Sequence, residues 1–187
     1  MFFKRTSTKR RLFLKLGLGV SSLYMMLTLV NKCYVNGVYK KALEDEKIDY
    51  LRFQTQPTIL NNFLWYGIAE TEDAYFVGFY SILDTKPIIS RWHKLPKNHN
   101  LIDEKTKDLE TLAWFSGGYY NLSETADSKT YLFKDLRYPL MDEEDPNSTI
   151  FKFTISKTGD RWEAAPFYTP DVSTGSLNSF WARLKGI

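Results

Sequence analysis

Asp135 and Arg137 stand two residues apart in the run FKDLRYP. On a β-strand, residues i and i+2 project from one face, so this spacing predicts a carboxylate and a guanidinium entering one pocket together. Tyr119 and Tyr131 are the aromatic residues expected beside them. A carboxylate next to a guanidinium among aromatic rings recognises a small polar ligand through charge-assisted hydrogen bonds. The same pair also reads as a structural ion pair at a sheet edge, and both readings stand.

The chain has two histidines, His93 and His99, in WHKLPKNHN, with Asp84 and Asp103 on either side. Imidazoles with carboxylates are ligands for a divalent metal. A spacing of six fits neither a helical nor a strand register, so a solvent-facing polar loop is the competing account. Met141-Asp142-Glu143-Glu144-Asp145 offers carboxylates, but Pro146-Asn147 and the missing glycine describe a loop rather than a calcium site. There is no P-loop, GxGxxG, HExxH, CxxC or G-x-S-x-G, so no catalytic constellation is visible. The single cysteine, Cys33, excludes a disulfide within the chain. Trp65, Trp92, Trp114, Trp162 and Trp181 are expected in the core.

These residues need elements to hold them. Tyr50–Thr55 alternates and meets Pro57, as a short strand does. Asn61–Asp84 contains two apolar, aromatic and β-branched runs around Glu72-Asp73, which predicts a β-hairpin. Gly67 and Gly78 lie inside those runs, where glycine marks a bulge or a close backbone approach. Ile88–Trp92 is expected to be another strand. Asp103–Phe115 predicts a helix capped by Asp103, with Leu109, Leu112 and Ala113 as its apolar stripe and Gly117-Gly118 as its stop. Tyr119–Leu122, Thr130–Tyr138, Thr149–Ser156 and Arg161–Phe167 follow as strands, the last two joined by a turn at Lys157–Asp160. A short amphipathic helix starts at Ser176.

Composition agrees with an aromatic-rich, strand-rich core: 16% of the 187 residues are Phe, Tyr or Trp. Charge is distributed unevenly. Lys4, Arg5, Lys9, Arg10, Arg11, Lys15 and Lys32 put seven cations and no acid into residues 1–32, which leaves a net −4 on the rest against the overall +3. An acidic body argues against nucleic-acid binding by the domain. Between Leu12 and Val30 the chain reads LFLKLGLGVSSLYMMLTLV, 19 residues that reach about 28 Å as a helix, close to the hydrocarbon thickness of a bilayer. Lys15 sits where its stem can snorkel toward the headgroups. A cleaved signal peptide would end in small residues, and Leu29-Val30-Asn31-Lys32 does not. The expected organisation is a basic flank at 1–11, a transmembrane helix at 12–30 in contact with lipid, a helical stalk at 31–49 and a soluble domain at 50–187. The fold class is α+β, a mostly antiparallel sheet with one or two covering helices. Five cations before the span against Lys32, Lys40 and Lys41 after it place the N-terminus inside and the domain outside.

Asn31–Asn36, QTQPTILNNFLWYGIAETEDAYFVGFYSILD, FSGGYYNL, FKDLRY and FKFTI together resemble the C-terminal region of a bacterial family. That family is described as inner-membrane-associated, metal-dependent hydrolases and also as LexA-binding. The resemblance covers roughly residues 10–165, and its most specific pieces are PTILNNFLWY at 57–66 and DLR at 135–137. It implies a bacterial inner-membrane location and a divalent metal. The family's metal-binding His and Asp residues lie in membrane helices preceding this region, and Met1 falls just before the last span. The expectation is therefore a membrane-anchored accessory domain that binds a protein partner or small polar ligand. A hydrolase whose metal-bearing helices lie outside this chain is the alternative, and a purely structural role in folding or dimerisation is the third.

Overall fold

The structure is a computed structural model that describes residues 8–102, 106–125, 130–141, 143–145, 148–159, 161–167 and 174–186. Helix α1, Thr8–Asp45, is one unbroken element of 38 residues, about 57 Å long at 1.5 Å per residue. No proline interrupts it, and its two halves differ in their surroundings. From 12 to 30 no side chain is buried, and this half is long and apolar enough to cross a membrane. Beyond it, Val35, Val38, Tyr39 and Leu43 are buried at the i, i+3, i+4, i+8 spacing of one helix face. Burying Val35, Val38 and Leu43 is worth about 1.5–3 kcal/mol each in transfer free energy. The segment expected as a stalk is thus part of the core.

Strands β1 (Arg52–Pro57), β2 (Leu64–Glu70), β3 (Ala74–Ser81) and β4 (His93–Pro96) form a first antiparallel sheet in that order. The hairpin turn falls at Glu72-Asp73, closed by Thr71 N–H donating to Ala74 O at 2.9 Å. Alternation divides the sheet into two faces. Trp65 and Tyr80 pack with Val35, Val38 and Tyr39 of α1, while Leu64, Tyr66, Ile68, Tyr75, Val77 and Phe79 build the core on the opposite face. The strand expected at Ile88–Trp92 does not form; pairing begins at His93, opposite Val77. Residues 89–92 instead cross Gly78, where an added Cβ would lie 2.7 Å from Ile89 Cγ2 and 2.8 Å from Arg91 O.

The second antiparallel sheet is β5 (Tyr120–Glu124), β6 (Thr130–Asp135), β7 (Lys152–Thr158) and β8 (Arg161–Phe167). Helix α2, Lys107–Phe115, covers it through Leu109, which packs with Ile102, Leu122, Phe133 and Ile155. Its cap is Thr106, whose hydroxyl accepts from Leu109 N–H; Asp103, the expected cap, lies outside the described residues. Gly117 and Gly118 end the helix with φ of +60° and +80°, the left-handed conformation that glycine takes without strain. Helix α3, Thr174–Leu184, lays Phe180 and Leu184 on the core of the first sheet.

Candidate functional site

Asp135 ends β6 and is fully buried, and Arg137 closes onto it. Arg137 donates from its backbone N–H (3.1 Å) and Nε (3.1 Å) to Asp135 Oδ1, and from Nη2 to Oδ2 at 2.7 Å. The pairing is made by the turn after β6 rather than by a shared strand face, because the strand stops at Asp135. The guanidinium lies 5.0 Å from the Phe115 ring centre and 5.9 Å from that of Tyr138. Behind it, Tyr66 Oη donates to Leu136 O at 3.1 Å; burial, and then the Asp135 charge, push the Tyr66 hydroxyl up. The bonds from Arg137 thus reach both carboxylate oxygens and turn the acid toward its own turn.

Tyr119 joins this corner through its backbone, its carbonyl accepting from Leu136 N–H at 2.9 Å, while its ring receives the Arg52 guanidinium at 4.1 Å. Tyr131 is not brought in: it stands at the far end of β6, opposite Ile155, with its ring 5.7 Å from that of Trp162. His93 lies on β4. His99 opens a single 3₁₀ turn, His99–Leu101, stacks on Tyr120 at 4.1 Å and donates from Nε2 to Tyr120 O at 2.9 Å. Burial lowers the His99 imidazole. Asp84 is occupied by Arg183 (2.7 and 3.0 Å). Among the described residues no three His, Cys, Asp or Glu side chains gather at one point.

Three segments remote in sequence instead enclose an apolar groove of about 510 Å³, within the roughly 300–1,000 Å³ of small-molecule sites. Leu60 and Phe63 come from the β1–β2 loop, Leu140 and Ile150 from the strands' connection after Arg137, and Phe180 and Trp181 from α3. Asn61 organises the loop: its Oδ1 accepts from Phe63 N–H (2.9 Å) and Leu64 N–H (2.8 Å), and its Nδ2 donates to Thr58 Oγ1 (2.7 Å). The result holds Leu60 at φ +58° with its side chain wholly exposed. A left-handed aliphatic residue is strained by about 1–3 kcal/mol, and such strain persists only where the surroundings impose it.

Arg183 fixes the α3 wall. Besides Asp84 it donates to Phe79 O at 3.1 Å and pairs with Glu143 at 2.9 Å, while Ser81 Oγ donates to Leu184 O at 2.7 Å. Burial pushes the Glu143 carboxyl up, with Arg183 opposing it. At the other end of the first sheet Glu70 meets Arg52, its partner in register, and Lys97 at 2.7 Å. The groove escaped the sequence reading, although Ile59-Leu60, two aliphatic residues inside a tight turn, were its visible trace. No protein-family model matches the chain, and comparison with curated proteins and with solved structures finds no match.

Proposed function

We propose that this chain is a membrane-anchored accessory domain that binds an apolar ligand or partner segment in the groove between the β1–β2 loop and α3. Residues 12–30 cross the inner membrane of a bacterium with the N-terminus inside, and the domain stands outside. The observation that carries the reading is the division of α1. One continuous helix is bare where it is apolar all round and is locked into the first sheet directly afterwards. A helix exposing Leu, Val and Met on every side suits lipid, not water. The groove adds a ligand-sized apolar hollow on the domain that this helix carries. The Lys/Arg excess before the span supports the orientation.

Carbonate washing of membranes containing the full chain tests the tether: retention in the pellet is expected, and release to the supernatant overturns it. A diffusible alkyl-diazirine probe tests the groove, with adducts expected at residues 59–63 and 180–184. Labelling confined to residues 12–30 would leave the domain without this binding role.

A further inference from the structure

The depth of the groove relative to the span follows from contacts between α1 and the first sheet. Lys32 Nζ donates to Thr55 O and, at 2.8 Å, to Thr55 Oγ1; that hydroxyl donates to Asn36 Oδ1 at 2.6 Å. The chain leaves α1 at Asp45 and by Thr55 is back beside Lys32 and Asn36, with Phe53 and Ala42 both packed on the cluster around Tyr39 and Trp65. Strand β1 therefore runs back down α1 toward the span. Pro57 lies two residues beyond Thr55, about 7 Å lower at roughly 3.3 Å per residue. Along a helix that drop equals about four to five residues, so Pro57 stands level with the end of the Leu12–Val30 segment. The returning chain meets α1 at the same height, where Asn31 Nδ2 donates to Asn62 O at 3.5 Å.

Ile59 and Leu60 lie between those points and Phe63 directly follows them, exposed by 62%, 101% and 46%. Antiparallel pairing brings the end of β3 to this level too: Ile82 N–H donates to Phe63 O, and Ser81 Oγ holds the end of α3. Leu83 and Trp181 are half exposed there as well. Aliphatic and aromatic side chains thus rim the groove at the height where headgroups give way to acyl chains, the depth at which tryptophan is enriched.

The geometry points to a bilayer phospholipid as the occupant: the rim from Ile59 to Phe63, with Trp181, sits in the membrane interface, and one lipid acyl chain rises into the groove. This rests on the proposed tether, since only an anchored α1 places the groove at that depth. The apolar lining excludes the headgroup, which stays in the interface while the tail meets Leu140, Ile150 and Phe180.

The test uses the full chain in phosphatidylcholine vesicles. With acyl chains brominated near the headgroup, tryptophan emission is quenched; Trp181→Phe loses most of the bromine-dependent quenching, and Trp114→Phe, an exposed residue on α2, keeps it. Equal quenching in both variants overturns the interfacial rim. A phospholipid with a diazirine in its tail then marks Leu140 or Ile150 on the groove floor; adducts on the rim alone overturn acyl-chain entry. Release by carbonate is a different result, removing the tether and this inference with it. Retention without Trp181 quenching removes only the inference.

Discussion

Tyr39 on α1 occupies the space that a side chain on Gly67 would need: a Cβ placed on Gly67 falls 2.0 Å from Tyr39 Cε1. Gly67 faces Gly78 in the β2–β3 register, and Tyr39 Oη donates to Gly78 O at 2.9 Å. Two paired glycines thus open a slot in the sheet into which the helix inserts one aromatic ring. Gly67→Ala is expected to lower stability by about 1–3 kcal/mol through overpacking, read by chemical unfolding. Tyr39→Phe, which keeps the ring and loses the hydroxyl, should cost less, about 1 kcal/mol. A neutral Gly67→Ala would mean that the helix does not dock in this slot.

The Asp135–Arg137 pair predicts a structural response. Arg137→Ala leaves a buried carboxylate without its bidentate partner, which costs about 3–5 kcal/mol when both charges are enclosed. With Arg137 29% exposed at its side chain, the lower end is expected. A double-mutant cycle with Asp135→Ala should return most of that loss as coupling energy. Unchanged stability in Arg137→Ala would restore the pair as a surface-facing ligand site.

Acid should weaken the domain in two windows. His99 is lowered by burial, so the unfolded chain takes up its proton first; stability present above the ordinary histidine value, about 6.5, falls as pH drops below it. Glu70 is lowered although burial opposes this, because Lys97 and Arg52 hydrogen-bond its carboxylate. Its contribution is present above the ordinary glutamate value, about 4.3, and is lost as pH falls below that. Unfolding midpoints across pH should lose the upper step in His99→Phe and the lower one in Glu70→Gln. Steps that persist in these variants would refute the assignment.

Arg183 is expected to hold α3 rather than the whole fold. Arg183→Met leaves Asp84 and Glu143 without their cation, so α3 should gain hydrogen-exchange rate while the β2–β3 strands stay protected. Uniform loss of protection would show that α3 and the first sheet open as one unit.

Leu60 tests the proposed interfacial rim. Leu60→Gly removes the strain at φ +58° and should leave stability equal or raised by about 1 kcal/mol. The same variant removes the most exposed apolar side chain of the rim, so bromolipid quenching of Trp181 should fall. A destabilised Leu60→Gly would show that the side chain packs instead of protruding.

Periodicity was enough for the elements whose information is local. Leu12–Val30 is apolar on all faces and reads as a span-length helix in any context, and the apolar runs around Glu72-Asp73 pair as a hairpin because turn and alternation agree. Gly67 and Gly78 announced a close approach, but not that Tyr39 would fill it. Only the tertiary structure decided that residues 31–45 belong to the core, that Asp135 turns inward to its own neighbour while Tyr131 lies at the strand's other end, and that Ile88–Trp92 crosses Gly78 instead of pairing. It alone assembled the groove from segments near 60, 140–150 and 180. The physical reason is common to all of these: alternation and helical spacing depend on near neighbours in the chain, whereas a slot, a buried charge or a cavity depends on which distant surfaces meet when the two sheets close.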